Sequence, residues 1–382
     1  MTALLFRGGR VLTANGWQDG AELALDGARI AAIAQPDGSA AEVIDLAGGT
    51  LVPGYIDVQV NGGGGVLFND QPTAAGIATI AAAHARLGCT AILPTLISAL
   101  PDLIARGLDA VDEAIATGVP GCIGIHVEGP VLNVARKGIH QADHLRPLND
   151  TLIELLTRKR AGMGEGRILF TVAPEYLHAD QARALTDAGI VLSAGHSNAD
   201  FATAEAAFAM GVTGVTHLFN AMSGLHHREP GLVGATLANQ QVYAGLIVDG
   251  FHFHPALLPL VLRARPLDRC ILVSDAMPCV GSDEREFILD GRVIHVADGR
   301  CVDANGTLAG AALDLGTAVR NTMAMGGVSL ADAVSMASAG PAAFLRLGHQ
   351  RGAIAPGLRA DFVQLDAAHR PVATWIGGHR LT

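Results

Sequence analysis

From Gly54 onward the chain alternates short apolar runs with stretches of helical periodicity, and this rhythm restricts the fold more than any other feature. The runs are GYIDVQV, TAILPTLI, CIGIHVE, RILFTVAPE, IVLSAGH, GVTHLF, YAGLIVD and CILVSDA. Runs this apolar suit strands buried on both faces, and amphipathic patterns between them, such as 74–87, 102–117, 179–188 and 200–210, suit crossover helices over a parallel sheet. Several of these patterns end at a Gly that can terminate a helix. Eight repeats is the barrel number, so the expected class is α/β, a (β/α)8 TIM barrel.

Two regions break the rhythm. Residues 1–53 read as short strands and turns (LLFRGGRVLT, AELALDGARIAAIA, EVIDLAGGTLVPG), and the chain closes with GAIAPGLRADFVQLD and PVATWIGG, again short strands. Residues 1–53 and 349–382 are therefore expected to build one small β-sandwich module around a barrel of 54–348. The stretch FILDGRVIHVADGRCV, within 283–310, reads as a β-hairpin inserted after the eighth strand. Helices are expected at 330–337 and 340–347.

With 382 residues, 50% of them hydrophobic, the chain can bury a core of barrel size. The net charge of −10 is spread without acidic or basic blocks, which argues against a nucleic-acid backbone as partner, so an anionic ligand needs a local cluster of donors. No apolar run reaches the roughly 18 residues of a membrane span, and no secretory leader is evident. The five Cys carry no C-x-x-C spacing and mostly sit in apolar runs, so a reducing cytoplasm is expected.

Barrel enzymes place their chemistry at the C-terminal ends of the strands. Those ends carry Gln59 and Asn61 (first run), Glu128 (third), His196 (fifth), His217 (sixth) and Asp275 (eighth). Singly, each has an ordinary explanation as a structural or capping residue. Together, buried ionisable groups at equivalent positions are costly without a compensating cation. One carboxylate and two imidazoles form the ligand set of many catalytic zinc sites, and Asp275 is then the natural general base. Amide hydrolysis is the leading reaction class.

The segments PGYIDVQVNGGGG, HVEGPVLNVARKGIH, AGHSNA, THLFNAM, REPGLVGA, VDGFH and VSDAM occur in the order of the N-acetylglucosamine-6-phosphate deacetylases, and IAPGLRADFV extends the resemblance over essentially the whole chain. The resemblance implies that Glu128, His196 and His217 hold one divalent metal per subunit, Zn2+ with Fe2+ or Co2+ as alternatives. It implies that Asp275 is the acid/base and that His140 stabilises the oxyanion. Arg228, His252 and the backbone of Asn220 and Ala221 match phosphate-contacting positions, while Ile139, Leu308, Ala309 and Gly310 fall near the sugar ring. A homodimer in which one subunit supplies phosphate contacts to its neighbour follows from the same resemblance. Many amidohydrolases carry His-x-His where this chain has Gln59-Val60-Asn61, and amides are poorer zinc ligands than imidazoles, which favours one metal over two. The substrate implied is a phosphorylated N-acetyl amino sugar, glucosamine or galactosamine. A cyclic-amide hydrolase typically needs paired strand-1 histidines and a bridging lysine that this chain does not show, and a non-catalytic scaffold is at odds with the retained metal trio, Asp275 and phosphate cluster.

Overall fold

The computed structural model describes residues 4–33 and 42–382; residues 1–3 and 34–41 of the expected terminal module lie outside them. Eight strands form one parallel sheet in sequential order: β1 (Tyr55–Val60), β2 (Cys89–Ile97), β3 (Gly124–Glu128), β4 (Arg167–Val172), β5 (Val191–Ala194), β6 (Val212–Val215), β7 (Tyr243–Leu246) and β8 (Cys270–Leu272). Seven of them lie within the apolar runs or one residue beyond, and β6 begins two residues before its run and shares only Gly214 and Val215 with it. The strand residues are almost entirely buried, which explains why the runs show little alternation.

The barrel closes just beyond β8. Val60 bridges Ala276 in parallel register, and the Asp275 N–H donates to Gln59 O at 3.0 Å. Asp57 fastens the same seam by accepting from the Gln59 and Ser274 N–H groups, each at 3.2 Å.

Around the sheet run α1 (Ala74–Ala85), α2 (Pro101–Ala116), α3 (Asp150–Gly162), α4 (Ala179–Asp187), α5 (Phe201–Ala209), α6 (Gly231–Ala238), α7 (Leu258–Ala264) and α8 (Leu315–Gly326). Their starts follow side-chain chemistry: Thr73, Asn149, Asp200 and Asp314 each accept a backbone N–H of the first turn. Two further helices, α9 (Leu330–Ala337) and α10 (Ala339–Phe344), match the expected pair to within three residues.

The stretch expected as a hairpin is larger than that. It is a four-stranded antiparallel meander, Glu286–Leu289, Arg292–Ala297, Arg300–Val302 and Leu308–Ala311, whose end rejoins the barrel through an Ala276–Ala311 bridge. Two Asp-Gly pairs, 290–291 and 298–299, both have positive φ and make successive two-residue turns, so the chain reverses twice. Cys279 and Cys301 hold this insertion against the loop after β8, their sulfurs 3.6 Å apart; all five cysteines are free and buried.

The two termini pair in one module. Thr50–Pro53 lies between Phe362–Leu365 and Arg10–Thr13 in a six-stranded sheet, and Leu4–Arg7 lies between Leu23–Asp26 and Glu42–Asp45 in a four-stranded one. Phe6 sits edge-on to Phe362 (5.4 Å) and Trp375 (5.2 Å), in a core separate from that of the barrel. Trp375→Ala should lower stability by about 3–5 kcal/mol, read from the urea midpoint; a loss below ~1 kcal/mol would show that the module does not lean on this cluster.

Candidate active site

Glu128 ends β3, while His196, His217 and Asp275 follow β5, β6 and β8 by two, two and three residues. There the sheet ladder stops and the backbone turns sharply. His196 (φ 48°), His217 (φ 34°) and Asp275 (φ 52°) all adopt left-handed conformations that cost such residues energy, and the surrounding packing enforces them. The reward is convergence. Glu128 Oε1 lies 3.0 Å from His217 Nε2 and 3.2 Å from His196 Nε2, and the two Nε2 atoms are 3.1 Å apart.

This triangle has the shape of a metal half-shell. Ligands about 2.1 Å from a tetrahedral ion lie roughly 3.4 Å apart, and nearer about 3.0 Å in an octahedral shell. The donor chemistry agrees. The 3.0 Å contact of His196 Nδ1 with Arg136 O requires a proton on Nδ1, so Nε2 presents a lone pair towards the other imidazole. All three side chains are buried, and burial pushes Glu128 up, yet the two imidazoles hold its carboxyl well below the ordinary range. A divalent cation at the centre fits these residues.

The amides of β1 have a different role from the imidazoles they replace. Gln59 Nε2 donates to Glu128 Oε1 (3.1 Å) and Asp275 Oδ1 (3.2 Å), and Asn61 Nδ2 donates to Asp275 Oδ1 (2.7 Å). An NH2 group has no lone pair for a metal, but it can bridge two carboxylates that would otherwise repel. Burial, then the Glu128 charge, still raises the Asp275 pKa, so this carboxyl binds a proton more readily than an ordinary aspartate.

His140 stands beside the trio, its ring centroid 4.4 Å from that of His196. Its Nδ1 accepts the Ser98 N–H at 3.3 Å, and the single Ser98 hydroxyl proton is shared between that nitrogen, at 2.8 Å, and the Glu128 carbonyl oxygen, at 3.3 Å. The proton therefore sits on Nε2, and burial, followed by the neighbouring His196, drives the ring pKa well down. His140 is thus a neutral donor. Ser98 reaches it because Gly129 has no side chain: a Cβ there would stand 2.2 Å from Ser98 Oγ. Ser98 carried no sequence signal, since its partners lie 30 and 42 residues away.

These groups open into a cavity of about 360 Å3, also lined by Asn61, Ile139, Asn220, Ala221, His252, Leu308 and Gly310. Gly138, Gly306 and Thr307 line it without having been singled out from sequence. Gln59 lies beneath the carboxylates, and Ala309 is fully buried behind its neighbours. Arg228 does not line the cavity of its own chain; it is exposed in the segment before α6.

A second buried group, Asp57, His84 and Cys89, also gathers its donor atoms within 4.8 Å of one another. No hydrogen bond joins the three, and Asp57 is already engaged at the barrel seam. Burial raises its carboxyl to about 7, as expected of a strut that is easily neutralised.

A parallel barrel with imidazoles and a carboxylate converging at its open end defines the class of metal-dependent barrel hydrolases. The model of the Amidohydrolase family matches residues 50–380, and the chain belongs to that family. It is 44% identical to the N-acetylgalactosamine-6-phosphate deacetylase of Shewanella sp. (strain ANA-3), covering 88% of this chain and 84% of that one. It is 35% identical to the N-acetylglucosamine-6-phosphate deacetylase of Bos taurus, covering 98% and 93%. Among solved structures, the N-acetylglucosamine-6-phosphate deacetylase from Pasteurella multocida superposes with a TM-score of 0.94 at 30% identity, covering 99% of each chain.

Glu128→Gln should weaken metal binding by more than the roughly 10–100-fold typical of losing an outer-shell partner, measured as metal content after dialysis. Asn61→Ala should keep the metal; loss in Asn61→Ala with retention in Glu128→Gln would refute the ligand assignment.

Proposed function

We propose that the protein hydrolyses the acetamide of N-acetyl-D-glucosamine 6-phosphate, giving glucosamine 6-phosphate and acetate. The observation that carries this reading is the triangle of Glu128, His196 and His217 donors beside Asp275, at the base of a cavity with room for a sugar, in a chain whose relatives are sugar-phosphate deacetylases. These three residues would hold one divalent ion, Zn2+ by preference for the mixed imidazole and carboxylate set, with Fe2+ or Co2+ also suited. When bound, the ion supplies Lewis acidity for polarising the acetamide and acidifying water.

The protein groups do the rest. Asp275, with its raised affinity for protons, takes one from the attacking water and delivers it to the departing nitrogen. His140 Nε2–H donates to the carbonyl oxygen as negative charge develops there. Gln59 and Asn61 keep the Asp275 carboxylate aimed through both transfers.

The 6-phosphate is assigned to His252 and the backbone at Asn220 and Ala221, with Ile139, Leu308, Ala309 and Gly310 around the ring. Arg228, exposed and outside its own cavity, is assigned to a neighbouring subunit's phosphate in a homodimer. The five free cysteines support a reducing, cytoplasmic setting.

A second reading, the galactosamine epimer, is favoured by the 44% identity to the Shewanella enzyme. Acetate release from both epimeric sugar phosphates under defined metal loading separates the two, and no release from either would overturn both. Asp275→Asn should keep its metal and lose at least ~100-fold in kcat; surviving turnover would mean another base. Arg228→Ala should raise KM for the phosphorylated substrate, and an equal loss for an unphosphorylated analogue would remove Arg228 from the phosphate site.

A further inference from the structure

A substrate phosphate must meet positive charge, yet none of the residues lining the cavity is Lys or Arg, and the chain as a whole carries −10. Of the cavity's histidines, His140 is held neutral and His196 and His217 face the metal position. His252 remains, and it does not stand alone.

Its Nδ1 lies 2.6 Å from Asp249 Oδ2, and both side chains are almost fully buried. The other carboxylate oxygen, Oδ1, accepts the Phe251 N–H at 2.8 Å and the His252 N–H at 2.9 Å. One carboxylate therefore fixes both the turn after β7 and the ring it presents. Upstream, Asn321 Nδ2 of α8 donates to Val248 O at 2.8 Å, which anchors the start of that turn.

An ionised carboxylate only accepts hydrogen bonds, so the 2.6 Å contact places a proton on Nδ1 and leaves Nε2 as the ring atom for a ligand. Burial pushes Asp249 up, but the hydrogen bond and charge of His252 outweigh it and keep the carboxyl below its ordinary range. With an anion in front of Nε2 and the carboxylate behind Nδ1, both ring nitrogens face acceptors, so the ring that bridges them donates from both.

We propose that Asp249 is a positioning residue for substrate phosphate: it aims His252 Nε2 into the cavity and sets a negative charge behind the ring, without touching substrate itself. This rests on the sugar-phosphate reading of the cavity. Asp249 is the last residue of the seventh apolar run, in the segment VDGFH, and it occupies the strand-end level from which the chemistry of the other strands projects.

Asp249→Asn is the informative variant. Its amide oxygen can still accept the two backbone N–H groups, but its NH2 can only donate to Nδ1, so the turn is retained while the negative acceptor behind the ring is lost. KM for the phosphorylated substrate should rise about 10–100-fold, the range for losing a charged hydrogen bond, with kcat within about twofold. The kcat/KM for the unphosphorylated N-acetylhexosamine should stay unchanged. His252→Asn should show the same phosphate-specific loss, and the Asp249→Asn/His252→Asn double variant should be no worse than His252→Asn alone. Asp249→Glu should restore part of the KM.

Equal losses for phosphorylated and unphosphorylated substrates, or additive losses in the double variant, would overturn the proposal. Should Asp249→Asn fail to fold, a phosphate-blind His252→Asn would also overturn it. Failure of the deacetylase reading looks different: wild-type protein would then release no acetate from either sugar phosphate.

Discussion

One carboxylate oxygen, Glu128 Oε1, is the point on which the site depends. Two imidazole nitrogens and the Gln59 amide all approach it within 3.2 Å, although these residues come from four different strand ends. Such crowding of polar groups in a dry interior is unfavourable unless charges and lone pairs are matched. Here Gln59 contributes donors to the carboxylates, and the lone pairs left over face a common centre. The arrangement has the donor geometry that a cation would fit, and the same crowding raises the proton affinity of Asp275 beside it.

The barrel makes this convergence affordable. Its strands are buried on both faces and its seam is laced by Asp57, Ser274 and the Val60–Ala276 bridge, so positions at successive strand ends are held against each other. Left-handed backbone at His196, His217 and Asp275 is then tolerated, because rigid neighbours over-determine those turns. The meander inserted after β8 extends the wall: its last strand carries Leu308 and Gly310 to the cavity and rejoins the barrel at Ala276.

Much of this was legible from residue order. The eight strands overlap the eight apolar runs, β6 by two residues only, and Glu128, His196, His217 and Asp275 stood out as ionisable residues at the ends of strands that should be apolar. Other parts were hidden for physical reasons. Ser98 is an unremarkable residue until packing sets it against His140, and the lack of a Cβ at Gly129 that admits it is only one glycine among 47. The amides of Gln59 and Asn61 read as weak ligands, whereas their NH2 groups hold the two carboxylates together. Arg228 read as part of the phosphate site, but its side chain lies outside the cavity of its own chain.

Periodicity and the energetic cost of buried charge are properties of short segments, so residue order alone specified a parallel barrel, its strand ends and the chemical identity of the donors. Which atom faces which partner was settled by folding. The contacts that orient Gln59, Asp275 and His217 join residues 69, 216 and 89 positions apart. Over such distances no local preference carries information; the assembled barrel brings the groups together and, at His140 and His196, assigns each ring nitrogen its proton or its lone pair.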